Sequence, residues 1–184
     1  MLLEKLEKLK NYPSDLILLI VAALGIVILL IINILIFEPL AYSGGIYGIL
    51  DFEFAWTTEQ ILIIFGEWGD EVMTLQAVGV YWDFIYIIGY TVPLFALIIL
   101  VSRKLDEEIQ NIGIYMSLTP IIAGIFDIVE NINLLVMLNE ATTFASFVPL
   151  IASLSATIKF GFLIVGAIFF LVALVLLVIK KIKK

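Results

Sequence analysis

Two carboxylates and an amide interrupt one of the apolar stretches of this chain. Asp127, Glu130 and Asn131 lie within the stretch 113–138, which is otherwise almost entirely hydrophobic. On a helix they occupy positions i, i+3 and i+4 and therefore share one face. Ionisable groups inside a membrane span are costly unless they are paired, so such residues indicate a functional site by default. Two acids so close together favour either protonation of one or a cation beside them.

Other polar groups are predicted to lie at the same level on two further helices. At a rise of about 1.5 Å per residue, Asp83 lies roughly 30 Å above Arg103, and Lys159 lies roughly 31 Å above Lys180. Asp127 and Glu130 lie roughly 22 and 27 Å above the start of their own span. We therefore expect Lys159 to point inward and to bridge Glu130 or Asp83. The predicted ligand-binding residues are Asp83, Tyr86, Tyr90, Asp127, Glu130, Asn131 and Lys159.

The elements that must position these residues are membrane helices. The chain of 184 residues is 63% hydrophobic and has a mean hydropathy of +1.18, and a span needs about 20 apolar residues. The sequence predicts an all-α integral membrane protein, a four-transmembrane-helix bundle forming a single membrane domain over 1–184. The predicted parts are an amphipathic cytoplasmic segment at 1–12, helices at 16–37, 78–101, 113–138 and 144–179, and an acidic loop at 38–77. Whether residues 144–157 belong to the fourth helix or form a separate one is open.

The distribution of basic residues predicts the topology. Lys and Arg cluster near the N-terminus, at Arg103–Lys104 and from Lys180 onward, whereas 38–77 contains none. Because basic residues favour the cytoplasmic side, we predict an N-in/C-in chain with the acidic loop outside. The ends of spans three and four would project beyond a bilayer core of about 30 Å. We expect the apolar parts of the 38–77 loop to join these projecting ends in an outward helical cap.

The composition excludes several kinds of chemistry. The chain contains no Cys and no His, which excludes thiol chemistry, zinc or haem held by these residues, and a histidine base. No cofactor is evident. Any metal would be a hard divalent cation held by oxygens, with Asp83, Asp127 and Glu130 as its candidate ligands. The net charge is −7, and we predict no nucleic-acid partner.

The polar motifs also carry a resemblance. The sequence from Asp83 to Tyr90 in span two, Pro120 followed by Asp127-Ile-Val-Glu130-Asn131 in span three, and Lys159 in span four resembles a family of small uncharacterised four-span prokaryotic membrane proteins with a D-x-x-E-N signature in the third span. The resemblance implies a multi-pass protein of the cell membrane and no particular activity. The chain is similar in plan only to the emopamil-binding/sigma-2 receptor group, from which no residue is carried over.

Three classes of function fit these residues. The first is a binding protein whose outer-leaflet carboxylate cluster holds a cation, protons or an amphiphile headgroup. The second is a membrane-embedded lipid-modifying enzyme with Asp127 and Glu130 as acid and base. The third is a structural or assembly subunit of a membrane complex, whose polar face pairs with a helix of a partner protein. The expected partners are membrane lipid and either further copies of the chain or another membrane protein.

Overall fold

The computed structural model describes residues 6–41 and 45–183, and these residues form a helical bundle. Four helical passages are long and apolar enough to cross a membrane, as predicted for a multi-pass membrane protein. The helices are α1 (Asp15–Ala41), α2 (Ile49–Glu53), α3 (Thr58–Ser102), α4 (Glu107–Met116), α5 (Leu118–Asn139) and α6 (Val148–Ile182). The four passages are α1, α3, α4 together with α5, and α6. The orientation of the bundle relative to a membrane stays a prediction.

Ion pairs gather at one end of the bundle, which we call the basic end. Arg103, which caps the end of α3, lies with Nη1 2.8 Å from Asp15 Oδ1 at the start of α1. Lys180 near the end of α6 lies with Nζ 2.6 Å from Asp106 Oδ1, just before α4. The four passages therefore alternate in direction. We call the opposite end, where α3 and α6 begin, the covered end.

The predicted amphipathic segment lies at the basic end. Its first five residues fall outside the described part of the chain, and 6–8 are helical. Leu6 is buried, and Leu9 packs against the apolar cluster between α1 and α3. Arg103 donates hydrogen bonds to the carbonyls of Leu9 and Pro13. Contacts with the bundle thus hold this segment in place.

Helix α3 begins at Thr58, so the predicted boundary at 78 is wrong. The Thr57 side chain accepts a hydrogen bond from Gln60 N at 3.2 Å and caps the helix start. The helix bends at Gly69, whose φ of 63° suits a residue without a side chain. Several acidic residues around this bend face solvent, and a stretch of that composition is typical of a loop. Part of the 38–77 region is therefore a helical extension of the second span.

A covering segment, residues 49–68, lies across the covered end. It contributes Phe52, Ile61, Ile64, Phe65 and Trp68 to an apolar cluster with Leu134, Met137, Phe144, Val148 and Ala152. These partners belong to the end of α5, the start of α6 and the turn between them, so apolar side chains of the 38–77 region do cover both helices. Whether this cover faces outward stays a prediction. Helix α6 begins at Val148, so most of 144–157 continues the fourth span.

The third passage begins at Glu107, earlier than the predicted residue 113, and is broken at Ser117. Pro120 explains the break, because a proline ring clashes with the carbonyl four residues earlier in a regular helix. That carbonyl, on Met116, instead accepts a hydrogen bond of 2.8 Å from the Thr119 hydroxyl. The passage keeps its direction but changes from α4 to α5.

Helix α1 approaches α3 closely at two glycines. A Cβ on Gly25 would lie 2.5 Å from Pro93 Cγ, and one on Gly89 would lie 3.0 Å from Leu29 N. Helix α3 packs along both α1 and α5, and α5 packs along α6. Within the described chain, α1 does not pack along α5 or α6. A space bounded by α1 on one side and α6 on the other is therefore left beside α3.

Candidate functional site

Lys159 lies at the centre of a buried carboxylate cluster. Its Nζ is 2.7 Å from Glu130 Oε2, 3.0 Å from Asp127 Oδ1 and 3.5 Å from Glu53 Oε2. Lys159 is only 6% exposed, and Glu130 is fully buried. The inward orientation of Lys159 and its pairing with Glu130 are as predicted.

Hydrogen bonds from neighbouring helices complete the arrangement. Tyr90 on α3 donates its hydroxyl to Asp127 Oδ2 at 2.7 Å, so both oxygens of Asp127 have a partner. Asn131 on α5 donates to Asp83 Oδ2 on α3, also at 2.7 Å. Three helices thus bring the predicted residues to one level. In the described residues, Asp83 forms no ion pair, and its side chain accepts a hydrogen bond from a neutral amide.

Glu53 belongs to this cluster but was missed by the sequence analysis. It ends α2 in the covering segment, whereas its partner Lys159 belongs to α6. Burial raises the pKa of the Glu53 carboxyl above its usual value, and the nearby Lys159 ammonium opposes part of that rise. The contact between Glu53 and Lys159 therefore ties the covering segment to the bundle.

A partly open cavity of about 760 Å³ adjoins the cluster. Residues of α1, α3, α5, α6 and the region around α2 form its wall. The predicted residues on that wall are Asp83, Tyr86, Tyr90, Asp127, Asn131 and Lys159. Glu130 pairs with Lys159 without being part of the wall. Six of the seven predicted residues are therefore positioned to contact a bound molecule.

Helix α3 gives the cavity a polar row at helical spacing. Gln76, Asp83, Tyr86 and Tyr90 all line the cavity, separated by two, one and one turns. Gln76 is only 4% exposed, and within the described residues its side chain has no hydrogen-bond partner. Sequence analysis missed Gln76 because the predicted span began after it. Because Gln76 lines the cavity, its amide is available to a polar atom of a molecule bound there.

Aromatic rings form one corner of the same cavity. The centroids of Phe37 and Tyr86 are 4.9 Å apart with planes at 66°, and those of Tyr86 and Tyr90 are 6.0 Å apart at 62°. Phe37 closes a single π-helical turn, Asn33–Phe37, in α1. Such turns inside α-helices frequently occur at functional sites. Here the turn contributes both Asn33 and Phe37 to the cavity wall.

The charges on the cavity wall do not balance. Carboxyl groups of Glu38, Glu53, Asp83 and Asp127 line it, and Lys159 is the ammonium among the described wall residues. In the described chain, no group of three or more acidic side chains is arranged to hold a metal ion. Asp127 and Glu130 face Lys159. The divalent-cation site on Asp83, Asp127 and Glu130 stays a prediction.

Comparison with known proteins gives no relative from which a role could be transferred. No protein-family model, curated protein or solved structure matches this chain. The resemblance to small four-span prokaryotic membrane proteins therefore stays a prediction. What can be said of the site depends on its own geometry.

Proposed function

We propose that this protein binds the cationic headgroup of a membrane amphiphile in the cavity, with Asp83 as the counter-ion. The observation that carries the proposal is the position of Asp83. Its carboxylate lies on the cavity wall, accepts a hydrogen bond from Asn131, and has no cationic partner within the described residues. A carboxylate in a low-dielectric bundle is costly without a compensating charge.

The neighbouring ammonium does not compensate Asp83. Lys159 already lies within 3.5 Å of the Glu53, Asp127 and Glu130 carboxylates. One positive charge thus faces three acids before Asp83 is considered. A cation supplied by a ligand would reduce this imbalance, which favours a cationic ligand over an anionic one.

The size and lining of the cavity favour an amphiphile over a bare ion. About 760 Å³ falls within the range of roughly 300–1,000 Å³ found for small-molecule sites. Ile34, Leu40, Val80 and Leu163 give the wall a large apolar share. Because α1 and α6 do not pack along each other in the described chain, an alkyl chain can extend between them into the surrounding lipid.

The geometry favours binding over acid–base catalysis. Both Asp127 and Glu130 are ion-paired with Lys159, at 3.0 and 2.7 Å. Glu130 is fully buried and does not line the cavity, so a substrate there has no direct access to it. Asp127 already has a partner at each of its oxygens.

Calorimetric titration of the purified protein in a nonionic detergent tests the proposal. Dodecylammonium should bind, and dodecanol, which has the same chain without the charge, should not. Asp83→Asn should weaken dodecylammonium binding about ten- to a hundredfold, since a charge-assisted contact is lost. Glu71→Gln removes a carboxylate from an exposed position on the same helix and should leave the affinity unchanged. Equal binding of both probes, or unchanged affinity in Asp83→Asn, would contradict the proposal.

A further inference from the structure

We infer that the cavity selects a methylated ammonium, held against the Asp83 carboxylate by the rings of Phe37, Tyr86 and Tyr90, with an oxygen of the same headgroup on Gln76. The inference rests on the proposed function, since it requires a cationic amphiphile in this cavity. It adds the chemical class of the headgroup, which the charge of Asp83 alone does not specify.

The aromatic corner is the first argument for methylation. Asp83 and Tyr86 are at i and i+3 on α3, so their side chains are neighbours on one face. The ring planes of Phe37 and Tyr86 lie at 66° to one another, and those of Tyr86 and Tyr90 lie at 62°. Neighbouring rings in this corner of the cavity are therefore not parallel. Aromatic faces attract quaternary ammonium groups through cation–π interaction, and such clusters commonly recognise methylated ammonium.

The hydrogen-bonding capacity of this corner also favours a methylated ammonium over a primary one. A primary ammonium has three N–H donors to satisfy. Asn131 occupies Asp83 Oδ2, which leaves Oδ1 to accept one of these donors, and the Tyr90 oxygen, whose proton is donated to Asp127, can accept a second. Ring faces are weak acceptors for the remaining donor. A trimethylammonium group has no N–H donor, so it enters this corner without leaving one unsatisfied.

Gln76 is the second, independent observation. Its side chain is almost completely buried on the cavity wall and has no hydrogen-bond partner in the described chain. It lies two turns from Asp83 on the same helix, roughly 10 Å along the axis. An amide there can donate to a phosphate or ester oxygen of a headgroup whose ammonium lies at Asp83. The two positions together fit a headgroup that carries both a methylated ammonium and an oxygen-rich group.

Two amphiphiles with the same alkyl chain test the selection of a methylated ammonium by calorimetry in a nonionic detergent. Dodecyltrimethylammonium should bind about five- to tenfold more tightly than dodecylammonium. Tyr86→Leu should remove that preference, and Tyr86→Phe should keep it, because the ring remains. Tyr81→Leu is the matched control, since Tyr81 is 57% exposed and outside the cavity. If Tyr86→Leu does not fold, Phe37→Leu serves in its place, because it removes a ring from α1 instead of α3.

Dodecylphosphocholine tests the Gln76 part of the inference. Gln76→Met should weaken this ligand several-fold and leave dodecyltrimethylammonium unchanged, because only the former has oxygens for the amide. Equal weakening of both ligands, or of neither, would overturn the assignment of Gln76.

The same titrations separate this inference from the proposed function. If both ammonium probes bind with equal affinity and both depend on Asp83, selection of a methylated headgroup is overturned and the proposed function stands. If neither binds, both fail. Tetramethylammonium distinguishes the two sources of this chemistry. If tetramethylammonium binds much more weakly than dodecyltrimethylammonium, the natural ligand is a lipid. If the two bind equally, it is a soluble methylated amine.

Discussion

Two buried cations, Lys159 and Arg103, lie toward opposite ends of this bundle, and their surroundings differ in charge balance. Both side chains are 7% exposed. Arg103 donates to the backbone carbonyls of Leu9 and Pro13 and pairs with one acid, Asp15, which also contacts Lys104. Lys159 faces three carboxylates, with Asp83 close by and without a cation among the described residues.

The charges around Arg103 are balanced within the chain, whereas those around Lys159 are not. Arg103 binds neutral carbonyls and a carboxylate that is 38% exposed. The basic end of the bundle therefore requires no further charge. The Lys159 cluster has an excess of acid among buried side chains. The second arrangement is the one expected of a binding site, and charge-changing substitutions at the two places should differ in size and sign.

The largest effect is expected at Lys159. Lys159→Met leaves buried acids without a counter-charge, and breaking a buried pair costs about 3–5 kcal/mol. Adding Glu130→Gln should recover much of this loss, because an acid is removed together with its partner. Thermal stability in detergent measures both. Lys180→Met is the control, with an expected cost of at most about 1 kcal/mol, because its partner Asp106 is 79% exposed. Additive losses in the double variant would contradict the pairing.

A smaller loss is expected at the basic end. Arg103→Met removes several charge-assisted hydrogen bonds, including those to Leu9 and Pro13, and should cost about 1.5–3 kcal/mol. The adjacent Lys104→Met, which affects a side chain that is 51% exposed, should cost at most about 1 kcal/mol. A loss at Arg103 larger than that at Lys159 would reverse the comparison between the two ends. Unfolding in increasing concentrations of a denaturing detergent gives the order.

The third effect is a difference in sign. Asp83→Asn removes a carboxylate that lacks a cation and should raise stability by about 1 kcal/mol. Asp15→Asn removes the partner of two cations and should lower it by about the same amount. Both changes are isosteric, so packing is unaltered. Destabilisation by both substitutions would show that the acid excess around Lys159 is already compensated within the chain.

The smallest effect is a change in pH dependence at Glu53. Because the folded protein raises the pKa of this carboxyl, folding favours its protonated form. Its stabilising contribution is therefore present below the usual pKa of about 4.3 and is lost as the pH rises through the folded value. Glu53→Gln should be less stabilised by acid than the parent chain when melting temperatures are compared from acid to neutral pH. Glu67→Gln, which removes an exposed carboxyl in the same part of the chain, is the matched control.

The parts of this site that could be predicted from sequence depend on regular helix geometry. A constant rise per residue sets Asp83, Asp127 and Lys159 at one level once the spans are recognised. The i, i+3 spacing sets Asp127 and Glu130 on one face, and pairing follows from the cost of an isolated charge in lipid. These arguments need only local conformation and hydrophobicity.

The remaining parts depend on tertiary packing. Glu53 reaches the cluster because the short helix α2 packs by Phe52 against the end of α5 and the start of α6. No periodic pattern in five residues predicts that position. Gln76 was missed for another reason, since nearby acids on the exposed face of α3 resemble a loop in composition. A helical-face count continued backward from Asp83 would have placed Gln76 on the same row.

The glycine contacts between α1 and α3 have a consequence for the width of the cavity. Gly25 meets the Pro93 ring and Gly89 meets the backbone of Leu29, and neither glycine lines the cavity. Pro93 cannot rotate away as a long side chain could, so a methyl group at Gly25 would displace α1 away from α3. The displacement would be carried along α1 to Phe37 on the cavity wall. The width of the cavity thus depends on residues that do not line it, and a larger residue at either glycine would change the volume of the cavity without changing any residue of its wall.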